Sequence, residues 1–405
     1  MKRQILFVDD EPLVLRAMER GLRSVRAEWD MRFAESGAQA LELMAAQPCD
    51  VIVTDMRMPR MNGVALLKEV CRRHPATIRL VLSGHADQEM VAQCVGVAHQ
   101  YLSKPCDTER LKLAVQNALA VAESSGDLAT RSLVGSIDTL PSLPELYLQI
   151  IKALERESVS TQDLARIIQR DIAMTAKILK LVNSTYFGLR RAIETPAEAI
   201  TYLGVETVKA LVMVNGIFEQ ATAFRVPGFT LDDLWTHTLR VASGAFRITQ
   251  LEHAEHALQE EAFVGGVLHD LGILILANAH PEAYGRVVQA VRGGALLLEC
   301  ERDAFQTSHP EVGAYLLGLW GIPAPIRDIV RHHHQPNGSG AAPSLPLLAV
   351  HAADLIAGHG LHPLFTPVLD PIQELGRSLD PARLEAWQSL LDVPDDQAGL
   401  WSAGH

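Results

Sequence analysis

Positive charge is in short supply in this chain. Lys and Arg total 36 against 48 Asp and Glu, a formal net charge of −12 over 405 residues. A broad phosphate-backbone footprint needs clustered cations, and no helix-turn-helix with a basic recognition face is evident, so direct DNA binding is not expected. Cysteine is also sparse. The five residues Cys49, Cys71, Cys94, Cys106 and Cys300 form no C-x-x-C pair and are odd in number, which argues for reduced thiols in a cytoplasmic setting. No signal peptide is expected, because Lys2-Arg3 leads straight into a short strand-like run. The most apolar later stretch, 262–279, carries His269-Asp270 at its centre, so it reads as a buried helix and not a membrane span. Internal repeats and low-complexity tracts are missing. With 48% hydrophobic and 21% charged residues, the chain has a soluble globular composition, long enough for two or three domains.

The first 120 or so residues alternate strand-like and helix-like segments, the pattern of a parallel (βα)5 unit. Strands are expected near Ile5–Val8, Met31–Ala34, Val51–Thr54, Leu80–Ser83 and Gln100–Leu102, with a last helix over about 108–121. Polar groups stand just past several of these runs: Asp9-Asp10, Asp55, Ser83 and Lys104. Strand C-termini of a parallel sheet share one edge, where ligands bind. Three carboxylates, a hydroxyl and an amine would meet there, a set suited to a hard cation and a phosphoryl group.

The polar stretch 123–127 is expected to be a linker or a hinge within a longer helix. From Leu143 onward helical periodicity takes over. Leu164, Ile167, Ile168, Ile172, Ile178, Leu179 and Val182 predict one helix over 161–182, capped by Ser160 or Thr161. The stretch 336–340, Pro-Asn-Gly-Ser-Gly, reads as an irregular insert.

In order and spacing, the N-terminal motifs resemble the receiver domain of two-component response regulators. The resemblance covers 1–121 and implies a flavodoxin-like fold with a five-stranded parallel sheet. It makes Asp55 the phosphoacceptor and assigns Mg²⁺ to Asp9, Asp10, Asp55 and the backbone carbonyl of Arg57. Ser83 and Lys104 would stabilise the phosphoryl group, and Tyr101 matches the family's switch aromatic. Arg57 and His85 match positions that tune phosphoryl lifetime, and the Lys104-Pro105 bond is cis in relatives. A sensor histidine kinase is the implied phosphodonor. Receivers pair through the face at about 87–121, which leaves a phosphorylation-linked homodimer open.

Downstream, Leu140-Pro141-Ser142-Leu143-Pro144, the run Ile178 to Ser184 and the run Ala199 to Gly204 resemble the HDOD domain, an all-helical output module related to the HD phosphohydrolases. The expected organisation is α/β plus all-α: receiver 1–121, linker 122–135, HDOD domain 136–355, helical extension and tail 356–405. Ile172 departs from the family by following Asp171 where relatives carry Pro. By resemblance to metal-dependent HD hydrolases, His237, His269, Asp270 and Asp354 would bind one metal, and His309, His333 and His334 a second. Imidazole with carboxylate suits Fe, Mn, Ni or Zn. Two features differ from the HD-GYP phosphodiesterases: Ile273 replaces a Lys, and the Gly-Tyr-Pro segment is missing. Two readings stay open. In one, the HDOD module acts through contacts with a downstream signalling protein. In the other, it is a receiver-gated metallophosphohydrolase acting on a (cyclic) nucleotide.

Overall fold

The structure is a computed structural model. It describes residues 2–83, 97–104, 106–124, 128–137, 144–154, 159–171, 174–175, 178–179, 193–221, 224–339, 342–357, 362–365 and 381–391. Met1–Ser142, with Phe305–Thr307 and Tyr315–Ile322, forms one compact unit, and Leu143–Ala304, Ser308–Ala314 and Pro323–His405 form the other.

In the first unit five strands, β1 (Arg3–Val8), β2 (Trp29–Ala34), β3 (Val51–Asp55), β4 (Ile78–Ser83) and β5 (Gln100–Ser103), make one parallel sheet in the order β2-β1-β3-β4-β5. The five expected parallel strands are observed, with helices after β1, β2, β3 and β5; residues 84–96, between β4 and β5, lie outside the described residues. Continuous apolar runs explain the sheet: a parallel sheet is covered on both faces, and every residue of β3 is buried. Helices Gly37–Ala46 and Gly63–Arg73 begin where the side chains of Ser36 and Asn62 accept hydrogen bonds from the Gln39 and Ala65 amides. Part of the stretch expected to be a linker is helical, Leu128–Ser136. The Gly135 carbonyl there accepts from Arg79 (3.3 Å) and from the Cys71 thiol (3.1 Å).

The second unit is helical. Its only β feature among the described residues is the isolated bridge Val226–Phe229. Capping boxes open two helices, Ser160 with Asp163 and Thr230 with Asp233. One core cluster gathers Val241, Ala245, Ile248, Ile329, Val350 and the fully buried Trp387. The helix Pro381–Leu391 thus joins this core, and the Trp387 indole donates to Glu252 (2.7 Å).

Two local expectations need correction. The helix predicted over 161–182 stops at Ile168, because the Asp171 carboxylate accepts from the Met174 amide (2.9 Å) and starts a new helical turn. Pro336–Ser339 is not irregular but a short 3₁₀ turn, closed by the Gly338 amide on the Gln335 carbonyl. The span His256–Ala279 is long and apolar enough to cross a membrane, yet 89% of its apolar window is buried within the fold, the behaviour of a core helix.

Candidate functional site

In the receiver-like unit, β1 has β2 on one side and β3 on the other. The winding reverses there, and such a switch point opens a crevice at the strand C-termini. Asp9 and Asp55 stand at its two lips, 1% and 8% exposed. Lys104, just past β5, reaches both. Its ammonium pairs with Asp9 Oδ2 at 3.1 Å and closely with Asp55 Oδ1. The other oxygens are also held: Asp9 Oδ1 accepts from the Glu11 amide (3.0 Å) and Asp55 Oδ2 from the Arg57 amide (2.9 Å). Burial works against the Lys104 ammonium, but the two carboxylates outweigh it and raise its pKa. Gly63 permits this arrangement, since a Cβ there would lie 2.4 Å from the Asp55 carbonyl oxygen.

Asp9, Asp55 and Lys104 therefore meet. Asp10 adjoins them, half-buried, and Arg57 has an exposed side chain with its amide on Asp55. Ser83 and Tyr101 lie on neighbouring strands, Ser83 paired with Ser103 and Tyr101 with Val81. Their side chains, His85 and Pro105 lie outside the described residues, as do residues 87–96 of the pairing face expected over 87–121. Hard carboxylate oxygens gathered around a cation fit Mg²⁺, which takes oxygen ligands and keeps part of its water shell.

The second site lies wholly within the helical unit. His237 comes from the helix Leu231–Leu251, and Asp354 from Leu345–Ala357. His269 and Asp270 form the turn between His256–Leu268 and Leu271–Ala279. His309 opens the helix His309–Leu319, and His333 and His334 follow Ala324–His332. Gly272 allows the close approach: a Cβ on it would sit 2.0 Å from the His309 carbonyl oxygen.

All seven side chains converge in two groups, His237, His269 and Asp354 in one and Asp270, His309, His333 and His334 in the other, each with ligand atoms within 4.8 Å of one another. Asp270 joins the groups. Its Oδ2 faces His269 (3.2 Å) and His237 (3.4 Å), and its Oδ1 faces His309 (3.4 Å) and His333 (3.7 Å). Asp354 Oδ1 meets His237 Nε2 at 3.1 Å.

Ring orientation suits these histidines to a metal. His269 Nδ1 contacts the Gly266 carbonyl (2.7 Å) and His333 Nδ1 the Val330 carbonyl (2.8 Å). A carbonyl only accepts, so each Nδ1 carries a proton and each Nε2 faces the cluster. That is the orientation a metal-ligating histidine needs. His237 is held differently: its ring stacks on Phe365, with centroids 3.8 Å apart and planes 5° apart, while its buried Nδ1 has no hydrogen-bond partner among the described residues. The donors fit a borderline divalent metal.

Charge divides the rings differently. Burial pushes His269 toward neutrality, but Asp270 and then Asp354 overcome it and raise its pKa to about 9. His309 is raised as well, against burial, by Glu301 and Asp270. Burial wins at His333, held well below the usual histidine range, and at His334, lowered to about 4. Ile273, at the place of the HD-GYP lysine, is fully buried.

Residue-level reasoning missed several contributors. Glu301 holds His309, Phe365 stacks on His237, and His351 Nδ1 donates to the His333 carbonyl (2.6 Å). Glu301 sits in the charged run Glu299-Cys300-Glu301-Arg302-Asp303, which reads as a solvated helix face. Only three-dimensional placement singles it out.

Fold and sites together describe a receiver-type sheet unit and a helical unit with an HD-like centre. Family models agree: the response regulator receiver domain matches residues 5–116 and the HDOD domain residues 140–336. A solved receiver domain of an HD domain-containing protein from Pseudomonas fluorescens Pf-5 is 30% identical, covering 31% of this chain and 99% of that one, with a TM-score of 0.29. An HDOD domain protein of unknown function from Geobacter sulfurreducens shares the fold at 22% identity and a TM-score of 0.52, covering 69% of this chain and 98% of that one. Among curated relatives, the DNA-binding transcriptional regulator NtrC of Escherichia coli (strain K12) is 31% identical over 166 residues, 40% of this chain and 35% of that protein. An uncharacterized protein of Treponema pallidum (strain Nichols) is 27% identical over 235 residues, 55% of this chain and 43% of its own length. The chain spans less than half the length of either curated relative. It belongs to the response regulators, with a receiver domain followed by an HDOD domain.

Proposed function

We propose that Asp55 accepts a phosphoryl group from a sensor histidine kinase, and that the modified receiver alters how the HDOD domain engages a downstream signalling protein. The observation that carries this reading is the Lys104 ammonium shared by Asp9 and Asp55 at the sheet edge. Asp9, Asp10, Asp55 and the Arg57 carbonyl would hold Mg²⁺, which when bound neutralises charge on the phosphoryl oxygens. Asp55 Oδ1 contacts Lys104 while Oδ2 is fixed by the Arg57 amide. The Asp55 carboxylate is therefore oriented for attack, and Lys104 stays beside the oxygens where charge builds. The test is Asp55→Asn with a small-molecule phosphodonor and Mg²⁺. Loss of phosphate labelling, together with loss of the phosphodonor-induced change in hydrogen exchange of both domains, is expected. Labelling equal to wild type refutes the assignment.

A second reading for the output is a metal-dependent phosphohydrolase acting on a (cyclic) nucleotide, favoured by the convergence of seven imidazole and carboxylate groups. His237, His269 and Asp354 would hold one ion and His309, His333 and His334 another, with Asp270 between them. Bound metals of this kind polarise a phosphoryl oxygen and lower the pKa of water. Metal analysis of purified protein, followed by a phosphodiester assay of wild type against Asp270→Ala, decides it. Absence of stoichiometric metal removes the hydrolase reading and leaves the interaction reading.

A further inference from the structure

We propose that Glu301 is a positioning residue for the His309 imidazole, itself steadied by Tyr284; this role rests on the metal reading of the HDOD centre. Glu301 lies on the helix Leu297–Phe305 between the exposed Glu299 and Arg302, yet is itself fully buried. A buried carboxylate is costly unless donors surround it. Three do. Oε2 accepts from the His309 backbone amide (2.9 Å) and from His309 Nδ1 (2.8 Å), and Oε1 accepts from the hydroxyl of Tyr284 (2.7 Å), also fully buried. No Lys or Arg pairs with Glu301 among the described residues.

The geometry has a direct consequence at the centre. With Nδ1–H committed to Glu301, His309 turns its Nε2 toward Asp270 Oδ1 (3.4 Å), His333 Nε2 (3.4 Å) and His334 Nε2 (3.1 Å). His269 and His333 are locked by backbone carbonyls, whereas His309 is locked by a side chain that carries charge. A carboxylate behind a ligating imidazole fixes its tautomer and raises its basicity, and removing it costs roughly 10- to 100-fold in metal affinity. The competing role is a plain helix cap, since the same oxygen also takes the amide that opens His309–Leu319.

Glu301→Gln separates the two, because the amide oxygen still accepts from the backbone but no longer presents a carboxylate to the ring. Chelator-stripped full-length protein is titrated with Mn²⁺ while excess Mg²⁺ fills the receiver's oxygen site. The expected result is two equivalents in wild type and, in Glu301→Gln, about 10- to 100-fold weaker binding of one of them, with the other unchanged. In a His309→Ala background the Glu301 change should add nothing. Tyr284→Phe, whose ring is retained, should weaken the same equivalent several-fold and keeps the test open should Glu301→Gln fail to fold. Two wild-type equivalents with undiminished affinity in both variants overturn the positioning role alone. A wild-type protein that binds neither equivalent overturns the metal reading and this role with it.

Discussion

Gly272→Ala is the sharpest test of how the helical centre is assembled. The added Cβ would lie 2.0 Å from the His309 carbonyl oxygen, 2.7 Å from its carbonyl carbon and 2.8 Å from its Cα. These are backbone atoms, so no rotamer change relieves the overlap, and the start of the helix His309–Leu319 has to retreat by about 1 Å or more to restore ordinary contact. The substitution gains roughly 1 kcal/mol of helix propensity. Overpacking against backbone costs about 1–3 kcal/mol, and with three atoms struck the upper end applies. A net loss of about 2 kcal/mol corresponds to a fall of about 4–8 °C in the melting midpoint of a unit of this size. The same retreat carries His309 Nε2 out of the ±0.2 Å tolerance of a coordination bond, so Mn²⁺ binding weakens in parallel. Gly294→Ala is the control: φ is +94° and nothing lies within 4 Å of the added Cβ. It should cost about 1 kcal/mol through backbone conformation alone and leave metal binding intact. Calorimetry of the chelator-treated protein, with Mn²⁺ titration of the same samples, reads both quantities. Should Gly272→Ala match wild type in midpoint and in metal affinity, the close-packing argument is wrong.

Two further outcomes follow from buried ionisable groups. Lys104→Met leaves the Asp9 and Asp55 carboxylates facing each other without the ammonium, so chemical denaturation at pH 7 without divalent ions should show a loss of about 1–3 kcal/mol that added Mg²⁺ narrows. The Lys104 pKa is raised above its ordinary 10.5, so the ion pair's contribution is complete below that pH and is lost as pH climbs above it. An equal gap at pH 7 and at pH 12 counts against the pairing. Cys49 is held by burial at a pKa of about 12 rather than 9.0, so its contribution to stability is present below pH 9 and lost as pH rises toward 12. Peptide mapping after thiol labelling of native protein at pH 9 should find Cys49 unmodified, and stoichiometric labelling there would contradict its burial.

The receiver was legible because β1, β3, β4 and β5 each announce themselves twice, by a short apolar run and by a polar residue at or just beyond its end. Val51–Asp55 is the plainest case: an unbroken buried run ends on the residue that the sheet edge then presents to Lys104. Reading 161–182 as one helix failed for a stated reason. Apolar spacing continues past Ile168, but period says nothing about a competing side chain, and Asp171 captures an amide the helix needs. In the helical centre the histidines were visible as residue types in family order, whereas the groups that aim them were not. Gly266 and Val330 act through backbone carbonyls that any residue would supply, and Glu301 is one acid in an acidic run. Phe365 lies 128 positions from the ring it stacks on, and nothing local signals the pairing.

Those supporting groups decide what the centre does. The Nε2 atoms of His237 and His269 approach to 3.2 Å, and those of His309 and His334 to 3.1 Å. At such distances the two nitrogens cannot both present lone pairs to each other, so each pair needs a proton or a cation between or beside it. Asp270 and Asp354 raise the pKa of His269 to about 9, while burial lowers those of His333 and His334. Carbonyls and Glu301 thus choose which way each ring faces, and the two aspartates choose how much positive charge the cluster holds. A divalent ion entering this cluster has to displace the proton on His269, so its apparent affinity rises with pH until that ring is deprotonated. Orientation and charge at this centre are thus set by separate groups, carbonyls and Glu301 for the one and the two aspartates for the other.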